Sequence, residues 1–496
     1  MSKIKTIEIS SLMSSSGVQF GTSGARGLVS AMTDEVCYAY TSAFLQHLLS
    51  DNHGFNKGST VAISGDLRNS SPRILIAVAA AIRDQGGQPI NCGFIPSPAL
   101  AYFGQQNNIP SIMITGSHIP DDRNGIKFNT PNGEITKSDE DGIRAQAVTI
   151  AIELFNSQGL FIDPSANNAL PESSHAAYEL YLKRYLTFFP ENCLKNKTIA
   201  LYEHSTVGRD IFNDILSRLG AKVLRLARSE AFISVDTEAI RPEDSVLAKQ
   251  WASEYDVDCI ISADGDADRP LTSDEKGEWI RGDITGILTA EYLNASYVAT
   301  PISSNTAVEK YGQFRHVART RIGSPYVIEA MTQAKSNDTT VGYEANGGFL
   351  IYTAIKHQNR VLEALPTRDA ILVPLSLLML ADNRNMTLSQ LVATLPPRYT
   401  ASDRVKDFPT EQSKTILSNL LNDHAIINSY FEPHFGTFKH IDTTDGLRIT
   451  FKNEEVVHLR PSGNAPEFRC YNEATTPERA IDMNKLCINL IESWKS

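Results

Sequence analysis

Short apolar runs and helical patterns alternate along this chain of 496 residues. VAISGD, residues 61–66, has the length and composition of a buried strand. A helical pattern comes after it, with Pro72 at its first position, Ser70 or Ser71 as its N-cap and the glycine pair 86–87 after its end. Proline suits the first turn of a helix, and glycine suits its end. Because a further apolar run comes next, the pattern predicts one strand-helix-strand unit of a parallel sheet.

The same order of elements returns twice. TIALYEHSTVGRDIFNDILSRLGAKVLRLA, residues 198–227, repeats it closely, and a weaker copy extends from residue 324 to residue 344. The prolines at 396–397 then interrupt the pattern. The chain is also too long for one hydrophobic core, so the sequence predicts several domains, with boundaries near 165, 275 and 395. The predicted segments are 1–165, 166–275, 276–395 and 396–496.

A serine loop is the first candidate for chemistry. In SIMITGSHIPDDRNGIKF, the apolar run 112–114 ends in Thr-Gly-Ser-His, and a second short strand is predicted at 126–128. Pro120 and the polar cluster after it favour a loop between the two strands. Ser117 is therefore presented at a strand end, with His118 beside it and Lys127 nearby in sequence, where α/β proteins usually place functional groups. A simple connecting loop is the alternative.

An acidic loop is the second candidate. VDCIISADGDADRPL places Asp264, Asp266 and Asp268 at alternate positions after an apolar strand. Three close carboxylates repel one another unless a cation is present, so they predict a site for Mg²⁺ or a similar hard ion. An EF-hand has similar spacing, with Glu275 at its last position, but Arg269 replaces its required glycine. An aspartyl-phosphate phosphatase, with Asp264 as the nucleophile, is a further alternative.

The bulk composition narrows the class of protein. The formal net charge of -11 argues against a protein that binds nucleic acids in general or anionic membranes. The six cysteines form no close pair and are predicted to be buried free thiols in a reducing compartment. The most apolar stretch, 371–381, is too short to span a bilayer, and residues 1–17 do not have the pattern of a signal peptide. We expect a soluble cytoplasmic protein, with no obligate protein partner evident.

Four segments in this order resemble the α-D-phosphohexomutase family over nearly the whole chain. They are the Ser117 loop, DGDADR at 264–269, GYEANGG at 342–348 and RPSGNAPEFR at 460–469. The resemblance implies an α/β protein with three similar mixed α/β domains and a smaller α+β C-terminal domain around a central cleft. It also implies the reversible transfer of a phosphoryl group from one position of a hexose phosphate to another. A hexose phosphate is therefore the expected substrate.

The resemblance also implies roles for particular residues. Ser117 carries the phosphoryl group and completes the coordination of Mg²⁺ by the three aspartates, and Lys127 is favoured over His118 as the general acid/base. Arg26, in the loop FGTSGARGLV, and Arg269 hold the transferring phosphate. The predicted substrate-binding residues are Gly323, Ser324, Glu344, Asn346, Arg460, Ser462, Gly463, Asn464 and Arg469.

Sugar preference is less well specified than the reaction. The expected reaction interconverts hexose 1-phosphate and hexose 6-phosphate, with a hexose 1,6-bisphosphate as primer and intermediate. The GYEAN and RPSGN variants resemble those of family members that act on mannose phosphates, so the resemblance favours mannose, while glucose and glucosamine remain open alternatives. Many relatives carry Ser and His where this chain has Asn346 and Gly348. Because of this difference, the resemblance does not determine which hexose the protein prefers. A metal-binding module without enzymatic activity is the remote alternative.

Overall fold

A computed structural model describes residues 3–21, 24–50, 54–163, 169–357, 359–462 and 466–495. The chain divides into two compact units. The first contains Met1–Ala295 and Lys335–Ser389, and the second contains Ser296–Ala334 and Gln390–Ser496. The boundaries predicted at 165, 275 and 395 concern a finer division and stay predictions.

Residues 3–163 form a mixed sheet with helices packed against it. The strand order is β2-β3-β7-β6-β4-β5, in which β4 is parallel to β5 and β6, while β6 is antiparallel to β7. The elements in chain order are β1 (Ile4–Glu8), α1 (Ile9–Ser16), β2 (Gln19–Phe20), β3 (Gly24–Leu28), α2 (Asp34–Ser50), β4 (Thr60–Gly65), α3 (Ser71–Asp84), β5 (Gln88–Asn91), α4 (Ser97–Asn107), β6 (Ser111–Ile114), β7 (Arg123–Thr130), β8 (Gly133–Glu134), α5 (Lys137–Arg144), β9 (Ala147–Ala151) and a 3₁₀ turn (Ile152–Leu154).

The predicted strand-helix-strand unit is confirmed as β4, α3 and β5. Pro72 lies in the first turn of α3 as expected. The capping prediction is wrong in its detail, because Ser70 occupies the N-cap position without a side-chain capping bond. The Asn124 amide donates to the Ser70 hydroxyl instead (2.8 Å), and Ser71 donates to Asp66 (2.6 Å). These serines therefore connect α3 to the loops at the strand ends.

Residues 169–295 repeat this architecture. The sheet order is β11-β10-β12-β13-β14, with β10 parallel to both β11 and β12, and with β12 antiparallel to β13. The elements are α6 (Ala176–Phe188), β10 (Thr198–His204), α7 (Arg209–Arg218), β11 (Lys222–Arg228), α8 (Pro242–Glu254), β12 (Cys259–Ala263), β13 (Pro270–Ser273), β14 (Trp279–Ile280) and α9 (Gly282–Tyr292).

The remaining part of the first unit begins at Lys335. β17 and β18 pair antiparallel on either side of the loop that contains Glu344. The elements of this part of the first unit are β17 (Thr340–Tyr343), β18 (Phe349–Ile351), β19 (Ile355–His357), β20 (Arg360–Leu362) and α12 (Leu372–Arg384). The most apolar stretch of the sequence is thus the buried helix α12. Among the described residues, no helix is both long enough and apolar enough to cross a bilayer.

The second unit combines a parallel strand pair with an antiparallel sheet. β15 and β16 are parallel, and the sheet order is β21-β25-β24-β23-β22. A separate apolar core lies under this sheet and includes Phe408, Phe431 and Phe468. The elements are β15 (Tyr297–Pro301), α10 (Ala307–Tyr311), β16 (His316–Thr320), α11 (Ser324–Met331), α13 (Leu388–Val392), β21 (Tyr399–Lys406), α14 (Thr410–Asn422), α15 (His424–Phe435), β22 (Phe438–Asp442), β23 (Leu447–Phe451), β24 (Val456–Pro461), β25 (Glu467–Ala474) and α16 (Pro477–Ser493).

The prediction of buried free thiols is confirmed for five of the six cysteines. All six cysteines are free, and five of them are buried, while Cys193 is partly exposed. Burial raises the pKa of the Cys37 thiol and of the Cys92 thiol to about 12. These thiols therefore stay protonated and pack as small apolar side chains.

Candidate active site

The Ser117 loop comes directly after β6 and is shorter than expected, because β7 already begins at Arg123. Thr115 follows the strand directly and accepts a hydrogen bond on its hydroxyl from the Ser117 N–H (2.7 Å). Ser117 has a φ of 56° and is almost fully buried. A left-handed conformation is unfavourable for serine and persists where surrounding contacts impose it. The loop is therefore held in one geometry that directs the Ser117 hydroxyl inward.

Arg68 imposes that geometry. Its side chain is fully buried, with its Nε on the Asp66 carboxylate (3.1 Å). A Cβ at Gly116 would lie 2.6 Å from the Arg68 Cζ, so the loop needs glycine there. The guanidinium of Arg68 donates to the backbone carbonyls of Pro120 (2.7 Å), Arg123 (2.9 Å), Ser117 (2.9 Å) and Ile119 (2.6 Å). These four hydrogen bonds are charge-assisted, so they hold the backbone of the loop in place.

The acidic loop, residues 264–269, is in contact with the Ser117 loop within the first unit. Asp264, Asp266 and Asp268 come after β12, are buried, and have ligand oxygens within 4.8 Å of one another. The Ser117 hydroxyl donates to the Asp264 Oδ2 (2.5 Å), and the Ser97 hydroxyl donates to the Asp266 Oδ2 (2.6 Å). Ser117 and Asp264, which are about 150 positions apart in sequence, are thus in direct contact.

The three aspartates fit a hard cation. The Oδ1 atoms of Asp266 and Asp268 are buried and have no hydrogen-bond partner within the described residues. Burial, then repulsion from Asp266 and Asp268, raises the pKa of the Asp264 carboxyl well above its usual range. A divalent ion would relieve both the unpaired oxygens and the repulsion, and carboxylate oxygens are the ligands that Mg²⁺ prefers. The donor set therefore accommodates the predicted metal.

The EF-hand alternative is excluded by the element after the aspartates. The chain continues into β13 and not into a helix. Glu275 accepts hydrogen bonds from the Ser389 hydroxyl (2.5 Å) and from the Ser389 N–H (3.1 Å). Its carboxylate is therefore committed to another contact and does not complete the acidic cluster.

Lys127 neutralises part of the acidic loop. It extends from β7 and places its Nζ 2.5 Å from the Asp266 Oδ2 and 2.7 Å from the Asp268 Oδ2. Burial alone would lower the pKa of Lys127, but attraction to both carboxylates outweighs it and holds the pKa above its usual value. Lys127 is therefore a charged proton donor in this state of the protein.

Two arginines and a histidine surround the serine loop. Arg26 lies on β3, opposite Gly125 of β7, where a Cβ would approach the Arg26 side chain to 2.9 Å. Burial, then repulsion from Arg269, lowers the pKa of Arg26 to about 10. The His118 Nδ1 lies 3.4 Å from the Ser117 Oγ, and Arg269 and burial lower the pKa of His118 to about 3. Because Arg269 repels both Arg26 and His118, an anion bound beside Ser117 would relieve this repulsion.

The Glu344 loop lies in the same unit. Glu344 comes after β17 and is 4% exposed, and its Oε2 atom has no hydrogen-bond partner within the described residues. The Asn346 carbonyl accepts a hydrogen bond from the Thr237 hydroxyl (2.6 Å). Asn346 also accepts at its Oδ1 from the Gly348 N–H (2.9 Å), which closes the glycine-rich bend. The loop thus presents an unsatisfied carboxylate in a defined position.

The segment 229–241 supports both loops, and sequence reasoning missed it. The Ser234 hydroxyl donates to the His118 carbonyl, and the Thr237 hydroxyl reaches the Glu344 loop as described. Phe232 stacks on the Arg68 guanidinium, 4.0 Å from the Cζ to the ring centroid. No regular strand or helix is assigned to this described segment, so periodicity offered no signal for it.

The second unit contains the other predicted residues. Gly323 has a φ of 130° and precedes α11, which Ser324 begins. Asp445 joins this turn to β24, because its Oδ2 accepts from the Ile322 N–H (3.0 Å) and from the Arg460 Nε (2.8 Å). Asp445 belongs to no predicted motif, and its only signal in the sequence is an Asp-Gly turn. The structure thus connects the predicted Gly323 turn and the predicted Arg460 loop through one carboxylate.

The rest of the predicted phosphate loop is only partly described. The Ser462 N–H donates to the Glu467 carbonyl (2.8 Å), and the Arg469 Nη2 pairs with the Glu467 carboxylate (3.1 Å). Gly463 and Asn464 lie outside the described residues. The described part therefore places two arginines and one serine of the motif on or beside the adjacent strands β24 and β25.

Comparison with known proteins identifies the class of protein from its domains and its fold. Residues 17–154 match the model of the phosphoglucomutase/phosphomannomutase α/β/α domain I, and residues 281–399 match that of domain III. A phosphoglucomutase/phosphomannomutase family protein from Burkholderia thailandensis superimposes with a TM-score of 0.71 at 16% identity, covering 96% of this chain and 97% of that one. This likeness shows the fold.

Two full-length relatives are much closer in sequence. A phosphomannomutase from Salmonella muenchen is 43% identical over 97% of each chain. A phosphomannomutase from Sinorhizobium fredii is 41% identical over 94% of this chain and 96% of its own. The chain belongs to the α-D-phosphohexomutase family and is of the phosphomannomutase type.

Proposed function

We propose that this protein interconverts hexose 1-phosphate and hexose 6-phosphate, with mannose as the preferred sugar. The observation that carries the proposal is the buried contact of the Ser117 hydroxyl with Asp264 at 2.5 Å, inside a group of three carboxylates that could hold a metal ion. The similarity to two phosphomannomutases over nearly their full length supports the choice of mannose. Phosphoglucomutase and phosphoglucosamine mutase activities are the alternatives.

Ser117 is the carrier in this mechanism. A phosphoryl group leaves the Ser117 Oγ for the free hydroxyl of a hexose monophosphate, which gives a hexose 1,6-bisphosphate and an unmodified serine. The Ser117 Oγ then takes the other phosphoryl group back, so that the phosphate has changed position and the enzyme is regenerated. The left-handed loop, fixed by Arg68, holds the Oγ in one place for both transfers.

Proton transfer is assigned to Lys127. Its Nζ is charged and lies among the carboxylates of Asp266 and Asp268, so it gives a proton to the oxygen from which the phosphoryl group departs and receives one from the attacking hydroxyl. His118 is the alternative, because its lowered pKa of about 3 keeps the imidazole neutral, with one ring nitrogen able to accept a proton, and its Nδ1 lies 3.4 Å from the Ser117 Oγ.

Charge compensation comes from the metal site and from arginines. Mg²⁺, when held by Asp264, Asp266 and Asp268, supplies positive charge to the phosphoryl oxygens. Arg26 and Arg269 are proposed to bind the same oxygens, which suits their fork-like geometry. Both arginines are only partly exposed, so little water competes with a phosphate for their N–H donors.

Two further sets of residues are proposed to bind the rest of the substrate. Glu344 and Asn346 accept hydrogen bonds from sugar hydroxyls, because the Glu344 carboxylate has an unsatisfied oxygen. The phosphate that is not transferred is assigned to the second unit, where arginine side chains and a turn provide donors. That set comprises Gly323, Ser324, Arg460, Ser462, Gly463, Asn464 and Arg469.

Initial rates on three substrates test the proposal. Mannose 1-phosphate, glucose 1-phosphate and glucosamine 1-phosphate are compared with Mg²⁺ and a hexose 1,6-bisphosphate primer present. We expect the highest kcat/KM with mannose 1-phosphate, and no turnover in the Ser117→Ala variant. Ser64→Ala, which removes a buried hydroxyl bonded to the Gly93 carbonyl, is the matched control. Release of free phosphate without isomerisation would refute the mutase and favour the aspartyl-phosphate phosphatase.

The free thiols support a reducing compartment, and we propose the cytoplasm as the location. A phosphorylated hexose is the proposed small-molecule partner. An acidic chain can bind this anion because arginine and lysine side chains and the proposed cation supply positive charge locally beside Ser117, although the net charge is -11.

A further inference from the structure

Arg368 lies between two of the predicted sites, although no sequence motif pointed to it. Its Nε and Nη2 contact the Asp268 Oδ2 at 3.1 and 2.9 Å. Its Nη1 lies 3.5 Å from the Glu344 Oε2. Only 3% of its side chain is exposed. One guanidinium therefore connects the acidic loop with the carboxylate that is proposed to read the sugar.

The neighbouring residue anchors this arginine from the other side. Asp369 is buried, and its carboxylate accepts hydrogen bonds from the Tyr181 hydroxyl (2.5 Å) and the Tyr185 hydroxyl, both on α6. Its N–H donates to the Phe349 carbonyl (3.0 Å) at the start of β18. The backbone at Arg368 is thus held by the helix α6 and by the strand after the Glu344 loop, which leaves little freedom in where the guanidinium points.

Gly348 provides the space that Arg368 occupies. A Cβ at residue 348 would lie 2.4 Å from the Arg368 Cδ and 2.6 Å from its Cγ, far inside van der Waals contact. The φ angle of Gly348 is not in the left-handed region, so the absence of a side chain, and not backbone freedom, is what the position requires. Any side chain at 348 would displace Arg368 from its place beside Glu344.

We propose that Arg368 is a positioning residue that sets sugar recognition through Glu344, and that Gly348 acts by making room for it. This inference rests on the proposed function, because it assigns the recognition role to Glu344. The Glu344 Oε2 is buried without a hydrogen-bond partner within the described residues, and a buried carboxylate is costly unless a cation pairs with it. Arg368 supplies that charge and restricts the Glu344 side chain to one direction.

The same guanidinium couples recognition to the transfer site. Because it contacts Asp268 and Glu344 together, a shift of either carboxylate moves the other. Lysine cannot replace it, since an ammonium is a point charge without the planar fork that reaches two carboxylates at fixed angles. Arg368→Lys is therefore expected to preserve the charge but to lose part of the positioning.

A double-mutant cycle tests the pairing. Arg368→Gln and Gly348→Ala are each expected to raise KM for mannose 1-phosphate about tenfold, with a smaller change in kcat, and Arg368→Lys is expected to fall between wild type and Arg368→Gln. The double variant should also show about a tenfold increase, because Gly348→Ala has no further effect once Arg368 is lost. Multiplication of the two effects to about a hundredfold would overturn the proposal.

Metal binding provides a second readout that does not depend on turnover. Titration calorimetry with Mg²⁺ alone is expected to show binding to Arg368→Gln that is no weaker than binding to wild type, because the arginine opposes a cation at Asp268. An unchanged KM together with a tenfold loss of Mg²⁺ affinity would show that Arg368 merely builds the metal loop. Arg73→Gln, which removes a different arginine-carboxylate pair with Asp34 (2.6 Å), is the control for general damage.

The proposed function and the role of Arg368 fail in different ways. If the wild-type protein isomerises none of the three hexose phosphates, the proposed function is wrong before any variant is compared. If the wild type is active and all variants keep its KM, only the role of Arg368 is refuted. Circular dichroism and the thermal unfolding midpoint establish that each compared variant is folded.

Discussion

The Ser117 region and the Arg460 region are both proposed to bind phosphate, but they are built differently. Around Ser117 the charged groups are buried and arranged in contact, with the Lys127 Nζ within 2.7 Å of the carboxylates of both Asp266 and Asp268. Around Arg460 the carboxylate of Asp445 pairs with the guanidinium (2.8 Å), and 17% of the Arg460 side chain is exposed. The region assigned to bond making is preorganised in a low-dielectric interior, while the region assigned to binding keeps contact with water.

One device is common to both regions. His204 donates from its Nε2 to the Ala263 carbonyl (2.8 Å), directly before Asp264, and His458 donates from its Nε2 to the Asp445 carbonyl (2.6 Å). Burial lowers the pKa of each histidine to about 4. Each region therefore uses a buried neutral imidazole to hold the backbone next to a functional carboxylate, which assigns these histidines to support and not to catalysis.

Removal of Lys127 is expected to have the largest effect on this comparison. Lys127→Met removes the proposed proton carrier and a buried charge, and we expect kcat to fall about 10³-fold, within the range for a general acid/base. Lys137→Met is the matched control, because Lys137 is exposed and pairs with Glu140 (2.7 Å) on α5. If Lys127→Met retains kcat and His118→Gln loses it, proton transfer belongs to His118.

Acidification is expected to weaken both regions through their histidines. The unfolded chain binds a proton at each histidine below pH 6.5, whereas the folded protein resists protonation down to about pH 4. Stability is therefore lost as pH falls between these values, by about 1.4 kcal/mol per pH unit for each histidine. Urea unfolding of wild type, His204→Gln and His458→Gln at pH 7 and pH 5 measures this loss.

Each histidine variant should lose less stability on acidification than wild type does. Substitution of the exposed His440 by glutamine is the matched control. A wild-type pH dependence in both variants would show that the two imidazoles do not resist protonation in the folded protein.

Asp445→Asn sharpens the assignment of the second unit to binding. Loss of the charge weakens the hold on Arg460 and on the Ile322 N–H. We expect KM for mannose 1-phosphate to rise about tenfold, corresponding to about 1.4 kcal/mol, with kcat nearly unchanged. Asp442→Asn is the control from the same turn, where the carboxylate accepts from the Thr444 N–H (2.8 Å). A fall in kcat without a rise in KM would place Asp445 in the transfer step.

Thr237→Val is expected to have the smallest effect. It removes the hydroxyl that donates to the Asn346 carbonyl (2.6 Å), and one hydrogen bond of this kind is worth about 1 kcal/mol, or about fivefold in kcat/KM. Thr289→Val is the control, because the Thr289 hydroxyl is buried without a partner within the described residues. Equal kcat/KM values for both variants would show that the segment 229–241 has no role in sugar recognition.

Local patterns in the sequence were sufficient for the elements that lie next to the site. The apolar run of β4, the proline at the start of α3 and the strand before the three aspartates are all local features, and each is found where it was expected. The ends of the serine loop were less well predicted, because β7 already begins at Arg123 through pairing with β3, which is nearly a hundred residues earlier in the chain.

The residues that sequence reasoning missed are those whose partners are distant in the chain. Arg68 reaches a loop about 50 residues later, and Arg368 reaches Asp268 because separate strand ends converge in the first unit. Asp445 resembles any Asp-Gly turn until its contact with Ile322 is known. Supporting residues of this kind have no fixed spacing from the groups that they hold, so no local motif reveals them.

The central claim is that Ser117 carries the phosphoryl group, and the most direct test is to locate that phosphate. The protein is incubated with Mg²⁺ and a hexose 1,6-bisphosphate, quenched in acid, digested and analysed by mass spectrometry, with a second sample treated with hydroxylamine. We predict a phosphate on Ser117 that resists hydroxylamine and is absent from Ser117→Ala. A hydroxylamine-sensitive phosphate on Asp264, or no phosphorylated residue at all, would contradict the claim.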